Sequence, residues 1–174
     1  LNFILISKVV GRDRLPSLDD QNAMPYVNAV LHESFRKTSL VHMGVPHQAY
    51  KEVRVGDYTI PKDATVFSDL YQVMHDPDYW QDPEQFRPER FLNADGKFVG
   101  DERVIPFAIG KRFCLGQTLA EKEFFLFFVS LMQSFEFKPT PGETLPGYIE
   151  DVLSYSLVRI PPQYKTIMKS RKCE

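Results

Sequence analysis

The stretch of this sequence best suited to chemistry is FAIGKRFCLG, residues 107–116. It places Cys114 after a basic lysine–arginine pair and just before a strongly apolar run. A cysteine that precedes a helix lies near free backbone N–H groups and the positive end of the helix dipole, and nearby cations strengthen that field. Gly110 and Gly116 permit backbone angles and close approaches that a side chain would forbid. The loop therefore favours a thiolate beside a flat surface without side chains.

Four interpretations of Cys114 are compatible with this loop. It could be a buried, inert cysteine, or a redox cysteine, although the sequence contains no C-x-x-C pair. It could be a nucleophile, but that requires a histidine base, and none of the four histidines lies in a recognisable pairing motif: His32, His42, His47 and His75. It could be the axial thiolate of a haem iron, which suits a single cysteine in a glycine-rich loop.

Composition limits the class of protein. The chain has 174 residues, 43% apolar and 25% charged, which is typical of one globular domain. A net charge of −2 argues against a nucleic-acid binder that relies on bulk charge. Cys114 and Cys173 are too few and too far apart for a disulfide framework or an all-cysteine zinc site. The apolar runs 1–7 and 124–132 are too short for a signal-peptide core and a membrane span respectively, so we expect neither signal nor anchor in this chain.

The hydrophobic pattern predicts a mainly α fold with a small antiparallel β-meander. Residues 17–38 are predicted to be helical, with Pro25 at the first position of a second helix. In residues 52–67 apolar and polar residues alternate on either side of two predicted turns. Three prolines between Asp76 and Arg90 predict an ordered, winding loop. Residues 115–135 form the strongest helix pattern, and beyond Pro139 we expect irregular strands and turns.

The helix at 115–135 is apolar on nearly every side. Such a helix is normally buried within a larger fold, and this sequence offers few other helices to surround it. The pattern therefore predicts that the chain is part of a bigger fold.

The cysteine loop resembles the haem-binding loop of the cytochrome P450 family, F-x-x-G-x-R-x-C-x-G, at every fixed position. The resemblance implies that the Cys114 thiolate is the axial ligand of haem iron and that Phe107 shields the sulfur. It makes Gly110, Gly116 and Arg112 part of the haem-binding loop, with Arg112 pairing with a haem propionate.

Other motifs of that family follow in the expected order. ESFR resembles the E-x-x-R motif and gives Glu33 and Arg36, which by helical phase alone would be a solvated pair worth about 0.2–0.5 kcal/mol. The resemblance implies instead a buried structural cluster with Arg90 of RPERF. VPHQAY resembles the family segment after that helix, which implies that His47 donates to a haem propionate, although a lone histidine after proline is equally an ordinary surface or turn residue. HDPDYW also matches a family segment, which implies a structural role for His75 and Asp76.

The resemblance is closest to animal family 2 and implies that residues 1–174 are the C-terminal fragment of a single cytochrome P450 catalytic domain. The implied activity is insertion of one oxygen atom of O2 into an apolar organic substrate, with haem b as cofactor and NADPH acting through a reductase. Substrate would lie against Val41, Val45 and Leu157, although apolar residues there are equally ordinary core. The implied location is the cytosolic face of the endoplasmic reticulum membrane.

The resemblance also implies a basic docking face for an acidic electron donor. That face would comprise Arg103, Lys111, Arg112 and Lys122. Because scattered surface cations are common, the same residues are equally consistent with an ordinary solvated surface.

Two features depart from the family pattern. The run LNFILIS stands where a polar, amphipathic helix is expected, and no A-G-x-x-T-T-like segment is present to supply the acid–threonine pair of oxygen activation. The alternative hypothesis is therefore a truncated, non-catalytic product, and we expect the 174-residue chain alone to lack activity. The substrate stays open among fatty acids, steroids and xenobiotics.

Overall fold

The computed structural model describes residues 3–143 and 158–171. The α-helices in this part are α1 (Phe3–Val9), α2 (Pro25–Thr38), α3 (Leu70–His75) and α4 (Gln117–Ser134). The strands are β1 (His47–Gln48), β2 (Val53–Val55), β3 (Tyr58–Ile60), β4 (Thr65–Val66), β5 (Phe135–Pro139) and β6 (Thr166–Ser170). The prediction of helices accompanied by small antiparallel sheets is confirmed.

Helix α2 begins where the sequence predicts. Pro25 occupies its first turn, where the ring sets φ and the missing N–H costs nothing. The helix ends at Thr38, and its C-cap Ser39 has a left-handed φ of 39° and donates its N–H to the carbonyl of Phe35. Before α2, residues 18–23 form a 3-10 helix rather than the predicted α-helix, with the Asp20 carboxylate accepting the Ser17 N–H at 2.8 Å.

Helices α1, α2 and α4 share the larger apolar core. Its buried members are Ile6, Val10, Met24, Val27, Leu31, Phe125 and Val129. Helix α4 is buried only on this side, while Leu119 and Phe127 remain 62% and 67% exposed. Among the described residues, no helix is both long and apolar enough to span a bilayer.

The predicted β-meander is only half correct. Strands β2 and β3 form the hairpin around Gly56, which has a φ of 58°. Strand β4, however, pairs with β1 and not with β3. Pro61 has no N–H to donate, and Asp63 adopts a φ of 68° while its N–H donates to the carbonyl of Ala49. That turn directs the chain back to β1.

The region after α4 also differs from the prediction. The helix ends at Ser134, and the next five residues form β5, which pairs antiparallel with β6. The predicted continuation of the helix to residue 135 was therefore wrong, and β5 was not predicted, whereas β6 lies beyond Pro139, where strands and turns were predicted. The pairing joins segments far apart in sequence, so no local pattern indicates it.

The segment from Asp76 to Arg90 is an ordered, winding loop, as predicted. Its only helical part in the described structure is the 3-10 turn Pro88–Phe91. Trp80 anchors it, since the side chain is 4% exposed and its indole N–H donates to the carbonyl of Val73 at 3.0 Å. The loop packs on α2 through a second buried cluster of Ala29, Trp80 and Phe91.

Candidate functional site

The cysteine loop folds back on itself so that its thiol faces outward. The Cys114 N–H donates to the carbonyl of Phe107 at 2.9 Å, which closes the loop. Ala108 and Gly110 have φ angles of 60° and 77°, so the loop depends on two left-handed positions, one of them not glycine. The Cys114 side chain is exposed. Phe107 anchors the loop by packing edge-on against Phe35 of α2, with ring centroids 5.4 Å apart.

Helix α4 starts at Gln117, three positions after Cys114 and not directly after it as the sequence suggested. The Gln117 N–H donates to the Cys114 carbonyl at 3.2 Å, which ties the loop to the first turn of the helix. Gly116 occupies the N-cap position, and a Cβ atom there would lie 3.7 Å from the Cys114 sulfur. The glycine therefore leaves the sulfur open on the side that faces the helix.

The surroundings of the thiol fit a large apolar group with acidic substituents. Ile109 and Leu115 are 71% and 93% exposed on either side of Cys114 in the sequence, and Phe113 is 47% exposed. Arg112, also exposed, supplies a cation for carboxylate substituents. In the described residues no cluster of three or more histidine, cysteine or acidic side chains could hold a bare metal ion. A single exposed sulfur ligand, with exposed apolar side chains and a cation close to it in the sequence, is compatible with thiolate-ligated haem.

The other expected haem and substrate residues lie between α2 and β1. Val41 is half-buried, Val45 is 65% exposed, and His47 is exposed at the start of β1. The structure places these three residues on one short segment that leaves the end of α2. Leu157 and Cys173 lie outside the described residues.

The structure brings Glu33, Arg36 and Arg90 together in a buried cluster. Both Glu33 and Arg36 are 0% exposed, and the Arg36 Nε and Nη2 atoms donate to the two Glu33 carboxylate oxygens at 2.7 and 2.9 Å. Arg90 Nε donates to Glu33 Oε1 at 3.3 Å. The solvated pair suggested by helical phase is therefore wrong, because the winding loop covers this face of α2.

This cluster also binds the backbone of the winding loop. Arg36 donates to the carbonyls of Met74 and Pro83 at 2.8 and 2.7 Å. Glu33 accepts the Arg87 N–H at 2.9 Å, while Arg90 donates to carbonyls within residues 81–85. Burial, opposed by the Glu33 charge, lowers the pKa of Arg90 from its usual value. One carboxylate is thus shared by two guanidinium groups, whose other N–H groups donate to backbone carbonyls of the loop, and this network fixes the loop on α2.

Lys37 extends this cluster in a way that the sequence analysis missed. Its side chain is 3% exposed, and Nζ donates to Glu84 Oε2 at 2.9 Å. Burial lowers the pKa of Lys37, and the hydrogen bond to Glu84 opposes that shift. No local signal separates Lys37 from a solvated lysine, since its burial depends on a loop more than forty residues away.

His75 lies buried beside the same cluster. It is 7% exposed and stacks on Tyr71 with ring centroids 3.9 Å apart, and its Nδ1 lies 3.1 Å from the Tyr71 carbonyl oxygen. Burial, reinforced by the charges of Arg36 and Lys37 against the raising effect of the Tyr71 bond, lowers the pKa of His75 to about 4. The imidazole is therefore neutral, and its Nε2 has no hydrogen-bond partner among residues 3–143 and 158–171.

The His75 environment predicts acid lability of the fold. Between pH 6.5 and 4 the unfolded chain binds a proton at this position that the folded protein excludes, so the free energy of unfolding falls as the pH falls. His75→Phe keeps the ring stack but cannot titrate. We therefore expect the free energy of unfolding to fall by about 2–3 kcal/mol less in this variant than in the wild type when the pH is lowered from 7 to 4.5. Urea unfolding at both pH values measures this, and equal losses in the two proteins would exclude His75 as the source.

The four predicted docking cations differ in their surroundings. Arg103 already has partners within the chain: its guanidinium lies 4.0 Å from the Tyr79 ring centroid and 3.2 Å from the Asp76 carboxylate. The remaining three are exposed on the cysteine loop and the start of α4: Lys111, Arg112 and Lys122.

The sequence of this chain is similar to one protein family and to several well-described proteins. The family model described as Cytochrome P450 matches residues 6–168. The chain is 41% identical over 167 residues to farnesoate epoxidase of Bombyx mori, covering 96% of this chain and 33% of that protein. It is 41% identical over 161 residues to cytochrome P450 2S1 of Homo sapiens (92% and 31%) and 40% identical over 167 residues to cytochrome P450 2B19 of Mus musculus (95% and 33%). The chain spans about a third of the length of these curated relatives.

Proposed function

Because this chain belongs to the cytochrome P450 family, and is similar to animal family 2 members as its motifs predicted, we propose that it forms the haem-thiolate part of a monooxygenase. The observation that carries the proposal is the exposed Cys114 thiol, presented by a closed loop at the start of α4. In this proposal residues 1–174 are the C-terminal part of one catalytic domain. The reaction inserts one oxygen atom of O2 into an apolar organic substrate.

The residues of this chain would hold haem b from one face. Cys114 would ligate the iron as thiolate, and the N–H groups after it would moderate the basicity of the sulfur. Phe107, held against Phe35, would exclude water from the sulfur. Arg112 and His47 would pair with the propionates, while Val41, Val45 and Leu157 would face the substrate. Haem held there would supply the iron that activates O2.

Electrons would come from NADPH through a flavin reductase, at the cytosolic face of the endoplasmic reticulum membrane. The exposed cations Lys111 and Lys122 support this proposal, because they flank the cysteine loop and would steer an acidic partner towards it. Arg103 contributes less than the sequence suggested, since Asp76 already neutralises it.

We expect the double substitution Lys111→Glu with Lys122→Glu to slow reductase-dependent haem reduction about tenfold at low salt. Stopped-flow reduction of the natural protein that carries this sequence measures the effect, which should shrink as salt rises. Lys62→Glu with Lys97→Glu is the matched control, since both lysines are exposed and lie elsewhere in the chain. Equal slowing by both pairs, or by neither, would exclude the docking face.

A second candidate is that the 174-residue chain by itself is non-catalytic. It is favoured by the exposed apolar side chains of Leu115, Leu119 and Phe127, which promote aggregation when nothing covers them.

Expression of the 174-residue chain alone, beside the natural protein that carries it, tests both candidates. We expect the natural protein to give the CO-bound spectrum of thiolate-ligated haem and to form an oxygenated product. The chain alone should retain little haem and form no product. Turnover by the chain alone with reductase present would refute the second candidate, and absence of the spectrum in the natural protein would refute the first.

A further inference from the structure

The aromatic ring of Phe35, on α2, packs against both sides of the cysteine loop. Its centroid lies 5.4 Å from the ring centroid of Phe107, before Cys114 in the chain, and 5.1 Å from that of Phe124, after it. Both contacts are edge-on, with interplanar angles of 67° and 74°. Edge-to-face aromatic pairs are favourable beyond the apolar area that they bury. Phe35 therefore joins the segment before the cysteine to the helix after it.

Backbone hydrogen bonds connect both ring contacts to residue 114. The Cys114 N–H donates to the carbonyl of Phe107 at 2.9 Å, and the Cys114 carbonyl accepts the N–H of Gln117 at 3.2 Å. Gln117 is the first residue of α4, the helix that also carries Phe124. Both backbone polar groups of the cysteine are thus bonded to segments that pack on Phe35. A displacement of the Phe35 ring would reach Cys114 from both sides.

The backbone of the cysteine loop needs such support. Ala108, directly after Phe107, has a φ of 60°, a left-handed conformation that a residue with a Cβ atom keeps only when its surroundings hold it there. The following residues, 109–116, are all exposed and therefore have little protein surface on which to pack. The contact of Phe107 with Phe35 lies next to this strained position and holds the loop from the side where it is half-buried.

Phe35 itself is held on a rigid part of the fold. The next residue, Arg36, is 0% exposed and is bonded to the Glu33 carboxylate at 2.7 and 2.9 Å, which fixes α2 to the winding loop. Phe124, on the other side of the Phe35 ring, packs against the larger apolar core. The ring is thus fixed from two directions, so the cysteine loop adjusts to Phe35 and not the reverse.

We propose that Phe35 is a positioning residue for the Cys114 thiolate and acts on it through Phe107. The proposal rests on the proposed haem-thiolate function and adds a residue to it. With Phe35 in place, Phe107 keeps water away from the sulfur. Without the Phe35 ring, water donates a hydrogen bond to the thiolate and reduces the electron density that the sulfur gives to iron. That change favours the reduced iron, so the reduction potential rises.

Spectroelectrochemical titration of the natural protein that carries this sequence, with haem bound, tests the proposal. Phe35→Leu removes the ring but keeps an apolar side chain. We expect it to raise the equilibrium constant for one-electron reduction by about tenfold, or about 59 mV, as one added hydrogen bond to the sulfur would. The red-shifted CO-bound band should remain, because Cys114 is still present. Phe35→Met should act in the same way, and it covers the case in which the leucine variant does not fold.

Phe98→Leu is the matched control. Phe98 is also half-buried and also packs edge-on against α2, with its ring centroid 5.4 Å from that of His32, but it lies outside the cysteine loop. Its replacement removes an aromatic contact of the same kind and should leave the reduction potential unchanged.

Phe107→Leu, alone and combined with Phe35→Leu, separates positioning from a general loosening of the fold. If Phe35 acts through Phe107, the double variant should shift the potential no further than Phe107→Leu does alone. Additive shifts, or a Phe35→Leu shift no larger than that of Phe98→Leu, would overturn the proposal while a red-shifted band in the wild type left the haem-thiolate function standing. A wild-type protein without that band would overturn both.

Discussion

We expect Cys114→Ser to abolish the red-shifted Soret band that reduced, CO-bound haem shows when a thiolate is its axial ligand. Serine matches cysteine closely in size, but its hydroxyl does not ionise near neutral pH and is a poor iron ligand. The loop itself should survive, because the hydrogen bond that closes it uses the backbone N–H of residue 114 and the Phe107 carbonyl. The spectrum, measured on the natural protein that carries this sequence, should therefore change without general unfolding.

Cys173→Ser is the control for this substitution. Cys173 belongs to the polar end of the sequence and lies outside the described residues, and its replacement should leave the spectrum unchanged. A Cys114→Ser protein that kept the red-shifted band would exclude Cys114 as the ligand. Loss of the band in both variants would indicate general damage.

Two helices of this fold, α2 and α4, were predictable from sequence because their evidence is local, whereas α1 and α3 were not predicted. Pro25 marks the start of α2, and the apolar spacing of Val27, Val30 and Leu31 identifies the side of it that is buried. The long apolar run likewise identifies α4. The strands were less predictable, because β4 with β1 and β5 with β6 pair across long separations in sequence.

The site shows the same contrast between local and distant evidence. The spacing of Gly110, Cys114 and Gly116 favoured a loop that presents a thiol but left a buried cysteine open, and the structure exposes the thiol. The burial of Glu33 and Lys37 could not be derived from helical phase, since it depends on a loop that covers the polar side of α2. Only the family resemblance pointed to burial of Glu33, and nothing pointed to burial of Lys37.

The second large effect is expected from Glu33→Gln, which should leave little folded, haem-loaded protein. Glu33 accepts four hydrogen bonds: from Arg36 Nε, Arg36 Nη2, Arg90 Nε and the Arg87 N–H. Glutamine removes the negative charge and turns one acceptor into an NH2 group that faces a guanidinium. Because Arg36 is 0% exposed, its charge would be left buried with no counter-charge on Glu33. Breaking a buried pair in this way costs about 3–5 kcal/mol.

Asp57→Asn is the matched control for Glu33→Gln, because it also removes a carboxylate from an i,i+3 arginine pair. Asp57 is fully exposed and its pair with Arg54 spans 3.9 Å, so the substitution should change the free energy of unfolding by less than about 0.5 kcal/mol. Urea unfolding and the yield of haem-loaded protein measure both variants. Arg36→Ala should resemble Glu33→Gln, since Arg36 also bonds to the carbonyls of Met74 and Pro83. Near-silent results for both Glu33→Gln and Arg36→Ala would show that the cluster does not hold the winding loop on α2.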